Sequence, residues 1–149
     1  LHLNIECRKQ KKLFELYFGT EDYVIFYPDP DIQTTHVMEA IYGPNGIKAG
    51  HLSGKVIENL EIACEHLTAK GADVIIPGFT EIPVVIDALQ KRNPFNIIDV
   101  NQIYADWAIH FYAKAYVPKQ YRIGIIGGLG PSATIDLMDK IIKNHIRGK

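Results

Sequence analysis

The segment Gly71-Ala72-Asp73-Val74-Ile75-Ile76-Pro77-Gly78-Phe79-Thr80-Glu81-Ile82-Pro83 decides how the rest of this sequence is read. A short β-branched run leads straight into Pro-Gly, and Pro83 is placed to begin a helix. Small and polar residues therefore stand where a buried strand would leave a sheet. Backbone N–H groups at the start of the following helix would point back at them, an arrangement suited to a carboxylate or phosphate. A plain strand-to-helix turn uses the same glycine and threonine for structural reasons, so both readings stay open at this point.

Working outward, the same alternation recurs. Upstream, Val56, Ile57, Leu60, Ala63, Cys64 and Leu67 repeat at helical spacing, and the pattern ends before Gly71. A helix is also expected from Asp31 to about Tyr42, and the run 23–27 reads as a buried core strand closed by Pro28-Asp29-Pro30. Asp29 and Asp31 are expected to shape that turn and cap the helix after it. Residues 1–5 alternate like a half-buried strand, and 7–18 predict a helix stopped by Gly19. Downstream come a short helix over 82–89, a short strand over 96–99, and a long helix carrying Ile103, Trp107, Ile109 and Tyr112. A last unit joins a strand at 122–126, the loop Gly127-Gly128-Leu129-Gly130 and a helix over 131–145. Strands apolar on both faces that alternate with helices predict an α/β fold, a three-layer αβα sandwich with a mostly parallel sheet. Ligands are then expected at the carboxyl ends of the strands.

Composition narrows the function classes. The chain has 149 residues, 47% of them apolar and 22% charged, and 16 basic against 17 acidic side chains leave a net charge of −1. That length supports a core, and the balance of charge argues against a general polyanion binder, so nucleic acid is not an expected partner. No apolar run approaches the roughly 20 residues that span a bilayer, so no membrane partner is expected. The two cysteines, Cys7 and Cys64, are too few for a disulfide framework, which suits a reducing cytoplasm. Beginning on Leu1, the sequence fits a trimmed or excised piece of a longer parent.

The central segment resembles the second catalytic segment of the aspartate/glutamate racemase superfamily, whose members usually read Gly-Cys-Thr-Glu, an aliphatic residue, then Pro. The likeness continues in Val37-Met38-Glu39-Ala40-Ile41 and in Gly46-Ile47-Lys48-Ala49-Gly50, which matches the family's Ile-Lys-x-Gly turn, and in Ile98-Asp99 with the long helix after it. The tail, 122–134, is similar to the segment that opens a racemase of this family, where Gly-Gly-Met-Gly-Pro-x-Ala-Thr is common. An opening segment thus follows a closing one. The resemblance implies a second lobe over residues 1–117 and the opening βα unit of another lobe over 118–149, from a tandem or a circularly permuted parent. It implies a flavodoxin-like lobe and cofactor-independent 1,1-proton transfer on an aspartate- or glutamate-type amino acid, without pyridoxal phosphate or metal. It also implies partnership with a missing racemase lobe or domain, and a homodimer as one assembly.

Such racemisation needs two acid/base groups facing each other across the α-carbon. In the family these are usually two cysteines, one per lobe. Here Phe79 stands at the second-lobe cysteine position and cannot move a proton, and the family's Ala-Cys-Asn-Thr segment is not present. The resemblance assigns the carboxylate contact to Lys48 and substrate contact to Thr80 and Glu81, with Gly127, Gly128 and Gly130 serving a neighbouring pocket. This chain is therefore expected to be inactive by itself, or to survive as an amino-acid-binding or oligomerising module.

Other signals carry less. Cys64 shares the apolar stripe of its helix and reads as a buried thiol, while Cys7, near a helix start, matches no base position. The glycines at 124, 127, 128 and 130 lack Gly-x-Gly-x-x-Gly spacing, which weakens a dinucleotide reading. Arg8-Lys9-Gln10-Lys11-Lys12 reads as a solvated helix face. The six histidines show no His-x-x-x-His spacing and no nearby cysteine pair, so no zinc site is expected.

Overall fold

A computed structural model describes residues 23–115, 125 and 131–147. The expected strand at 1–5, the helix at 7–18 with Cys7 and the basic patch, and the linker at 116–120 lie outside the described residues. So do the glycine loop at 127–130 and, apart from Ile125, the strand at 122–126.

The first helical rod runs over residues 30–42 as α1 (Pro30–Ile32), a π-helical stretch (Gln33–Met38) and α2 (Glu39–Tyr42). Pro30 sits in its first turn, where its missing N–H costs nothing. The wider π winding has a local cause. The hydroxyls of Thr34 and Thr35 donate to the carbonyls of Pro30 and Asp31, at 2.7 and 2.8 Å, so side chains compete with the backbone for i−4 acceptors. The rod buries Gln33, Val37, Ala40 and Ile41.

After a 3-10 turn (Ile47–Ala49), α3 (Lys55–Ala69) buries Val56, Ile57, Leu60, Ala63 and Cys64 of the stripe read from its spacing, leaves Leu67 half-buried, and buries Asn59 beside them. A second 3-10 turn (Ile82–Val85), with Pro83 at its start, leads into α4 (Ile86–Arg92). Arg92 reaches Glu61 of α3 at 3.0 Å. Two long helices, α5 (Val100–Ala115) and α6 (Pro131–Arg147), pack against each other. The core has two parts that share Ile82 at their boundary. One joins α3 to α4 through Leu60, Cys64, Ile86 and Leu89, and the other gathers Val37, Ile41, Ala63 and Phe79.

The αβα sandwich, and with it the flavodoxin-like α/β lobe, is corrected by this architecture. Among the described residues there is no sheet, and the β pairing consists of one isolated parallel bridge between Ile75 and Ile97. Ile75 N donates to Asn96 O at 2.8 Å and Ile98 N to Ile75 O at 3.0 Å, and the ladder stops there. The reason is local. Pro77 offers no donor two residues on. On the partner segment, the Asn96 side chain takes the Asp73 carbonyl that the preceding rung would use, at 2.9 Å, and α5 begins directly after Asp99, whose carboxylate accepts from Gln102 N. Val74 and Ile76 are 43% and 45% exposed, unlike a strand covered on both faces. The run 23–27 is likewise not core at its start, where Tyr23 and Val24 are exposed.

Asp29 is the residue preceding the first rod, but its carboxylate does not cap it. It bonds instead to Lys70 Nζ at 2.6 Å and His66 Nε2 at 2.9 Å, tying the segment before the rod to the end of α3. Hydrogen bonds from Lys70 and His66 hold its pKa below the ordinary aspartate value. A carboxylate depressed on folding stabilises above its unfolded pKa, and that contribution is lost as the pH falls through the lower folded one. The Tm of Asp29→Asn is therefore expected to fall below wild type near pH 7 and to converge with it as the pH drops below the ordinary aspartate value and through the lowered folded one. Differential scanning calorimetry across that range checks this, and a constant gap would contradict it.

Candidate functional site

The 3-10 turn at Ile47–Ala49 is what presents Lys48. Ile47 is fully buried and anchors the turn in the core. A Cβ on Gly46 would meet the carbonyl carbon and oxygen of Ile41 at 2.9 Å, so the turn can lie directly on the end of α2 because this residue is glycine. Gly50, at φ +93°, then turns the chain away.

From that turn Lys48 Nζ reaches Glu81 Oε1 at 3.1 Å and lies 4.6 Å from the centre of the Tyr42 ring. Burial pulls the Lys48 pKa down, but the hydrogen bond and charge of Glu81, helped by Tyr42, outweigh it and leave the ammonium above its ordinary value. Glu81 is 8% exposed and stands at the mouth of the second 3-10 turn, where Ile82 N donates to Phe79 O and Val84 N to Glu81 O. Two sites expected from sequence, Lys48 and Glu81, are thus brought into direct contact.

Phe79 points into the core. Its ring is 6% exposed, packs with Val37, Ile41 and Ala63, and meets the Tyr42 ring edge-on at 6.1 Å and 77°. The position that resembles a catalytic cysteine is therefore a packing position. Thr80 is exposed, and its backbone carbonyl accepts from Asn101 Nδ2 at 3.1 Å. The expected contacts at Gly127, Gly128 and Gly130 lie outside the described residues.

Cys64 offers no thiolate. Burial first, then the nearby Glu61 and Glu65, push its thiol up to about 12. Among the described residues no group of three or more His, Cys, Asp or Glu side chains could hold a metal ion, and no helix is long and apolar enough to cross a membrane.

Sequence reading missed a polar cluster behind Thr80. Asn101 also donates to Asp136 Oδ2 at 2.8 Å, and Lys140 Nζ lies between Asp136 Oδ2 at 2.7 Å and Asp99 Oδ2 at 2.6 Å. Burial opposes the Lys140 charge, yet Asp136 and Asp99 raise its pKa overall. The i,i+4 spacing of Asp136 and Lys140 was the available signal. A second internal contact pairs His36 Nδ1 in the π-helical stretch with Asn59 Oδ1 at 3.1 Å.

A cavity of about 810 Å³ lies between the extended segments and α3, lined by apolar side chains that include Ile25, Leu60, Cys64, Ile75 and Phe79. Neither Lys48 nor Glu81 lines it. The paired charges of Lys48 and Glu81, and not this apolar space, match a small ligand that carries charges of its own. Comparison of the chain with protein-family models, curated proteins and solved structures finds no match.

Proposed function

We propose that this chain is an amino-acid-binding, racemase-like module that moves no proton by itself. One observation carries the reading: the Lys48 ammonium stands 3.1 Å from Glu81, two residues from the core-packed Phe79, where the motif resemblance would put a base. A zwitterionic amino acid carries both complementary charges. Its carboxylate would take the Lys48 ammonium and its ammonium the Glu81 carboxylate, replacing one internal ion pair by two charge-assisted contacts. The motif resemblance supports aspartate or glutamate as the ligand class and no cofactor. It also supports a missing lobe, from the parent or from a second copy in a homodimer, as the source of any second base. A cytoplasmic location suits the free thiol of Cys64.

Titration calorimetry with L- and D-aspartate and glutamate is expected to show binding at millimolar concentration or below. Incubation with the same amino acids in deuterated water is expected to leave the α-proton NMR signal unchanged. Heat with no exchange fits the proposal; exchange would overturn its inactivity, and silence at millimolar ligand would remove its binding role.

A second reading, an oligomerising module, is favoured by the exposed side chains Ile135, Met138 and Ile142, which form one stripe of α6 at i, i+3 and i+7. Sedimentation equilibrium separates the two, since a monomer at micromolar concentration excludes the second.

A further inference from the structure

The polar cluster where α5 meets α6 reaches directly into the site. The Asn101 side chain is on a residue only 2% exposed, and its amide nitrogen has two protons. One goes to the Thr80 carbonyl at 3.1 Å and the other to Asp136 Oδ2 at 2.8 Å, so both are used. Lys140 closes the arrangement from α6, 2.7 Å from that same Asp136 oxygen and 2.6 Å from Asp99 Oδ2. The other oxygen of Asp99 accepts from Gln102 N at 3.0 Å and fixes the start of α5. A continuous line of hydrogen bonds therefore joins α6 to the backbone of residue 80, next to Glu81.

We propose that Asp136 and Lys140 are positioning residues for the Thr80 and Glu81 turn, which makes α6 a working part of the Lys48 and Glu81 site. The bland alternative is an ordinary i,i+4 surface pair, and the same helix supplies one for comparison. The Lys143 and Asp139 side chains are 61% and 52% exposed, whereas those of Lys140 and Asp136 are 15% and 17% exposed. An exposed pair is screened and does little. A sheltered carboxylate that serves both a cation and a buried amide cannot be removed without leaving those partners unsatisfied. The tail helix that resembles the opening of another unit is, in this inference, wired to the turn that carries Glu81.

The inference rests on the amino-acid-binding reading only where a ligand is used, and its main test uses none. In the full chain, hydrogen exchange of the Ile82 and Val84 amides, which bond to Phe79 O and Glu81 O, reports the turn. Asp136→Ala is expected to speed exchange at both about tenfold while the amides of α3 keep their rates. Lys143→Ala should change neither. Asp136→Asn retains an acceptor for Asn101 and should restore most of the protection, whereas Asp136→Leu, of similar size but with no acceptor, should not, which a mere packing role would not predict. Should the alanine variant fail to fold, Lys140→Met carries the test, with an expected rise of about threefold at the same two amides. Unchanged rates at Ile82 and Val84, or an equal rise throughout α3, would overturn the proposal. Aspartate binding should weaken in Asp136→Ala and not in Lys143→Ala. If wild type binds no amino acid, the binding reading fails while the exchange result still decides the positioning role.

Discussion

Phe79→Cys is expected to lower stability by about 2–4 kcal/mol and still give no α-proton exchange. The cost follows from what the ring does. It fills the space between Val37, Ile41 and Ala63 and makes an edge contact with Tyr42, so the smaller side chain leaves a cavity and forfeits an aromatic pair. The chemistry fails for a separate reason. The introduced thiol would enter an apolar setting, and the thiol already buried in this core, Cys64, is pushed up to about 12. A protonated thiol takes no proton from carbon, and a single base cannot serve both faces. Urea denaturation gives the stability change, and NMR in deuterated water with aspartate gives the exchange. Wild-type stability accompanied by exchange would show that side chain 79 faces the ligand and would overturn its assignment to the core.

The helices were legible because their signal is periodic over three or more turns. The stripe from Val56 to Cys64 and the Pro83 start both appear where spacing and backbone chemistry place them. The strands were not legible in the same sense. An apolar run such as Val74-Ile75-Ile76 reports a tendency to be buried but not a pairing partner. Pairing here ends after one bridge because Pro77 has no N–H for the next rung, the Asn96 side chain takes the Asp73 carbonyl of the preceding one, and α5 begins directly after Asp99. The site divides along similar lines. Lys48 and Glu81 could be named from short motifs, and Phe79 could be recognised as unable to move a proton. That Phe79 packs inward, and that Thr80 is held through its carbonyl, depends on α2 and α5, whose arrangement no local pattern encodes. Asn101 escaped notice because a buried amide looks like any helical asparagine until its two acceptors, one on a distant helix, are in place.

Lys48→Met should abolish amino-acid binding and lower stability by about 2 kcal/mol, and the two losses should separate in the double variant. Methionine preserves much of the contact with Tyr42 but removes the cation, leaving the Glu81 carboxylate charged, 8% exposed and without its partner 3.1 Å away. Breaking a buried pair from one side costs roughly 3–5 kcal/mol, and the partial exposure of Lys48 argues for the smaller figure. In Lys48→Met/Glu81→Gln the stranded charge is gone, so most of the stability should return while binding stays absent. Glu81→Gln alone leaves Lys48 uncompensated. Succinate, which needs only the ammonium, should then bind about fivefold more tightly, or roughly 1 kcal/mol, while aspartate loses the partner for its own ammonium and should not gain. The alkaline limit supplies a further check. Because the folded Lys48 pKa is raised, its contribution is complete below the ordinary lysine value near about 10.4 and disappears as the pH rises through the higher folded value. The stability gap between wild type and Lys48→Met should therefore hold from pH 7 to 9 and close beyond the ordinary lysine range. A double variant as unstable as the single one would show that Lys48 acts through its packing, and persistent aspartate binding in Lys48→Met would place the carboxylate elsewhere.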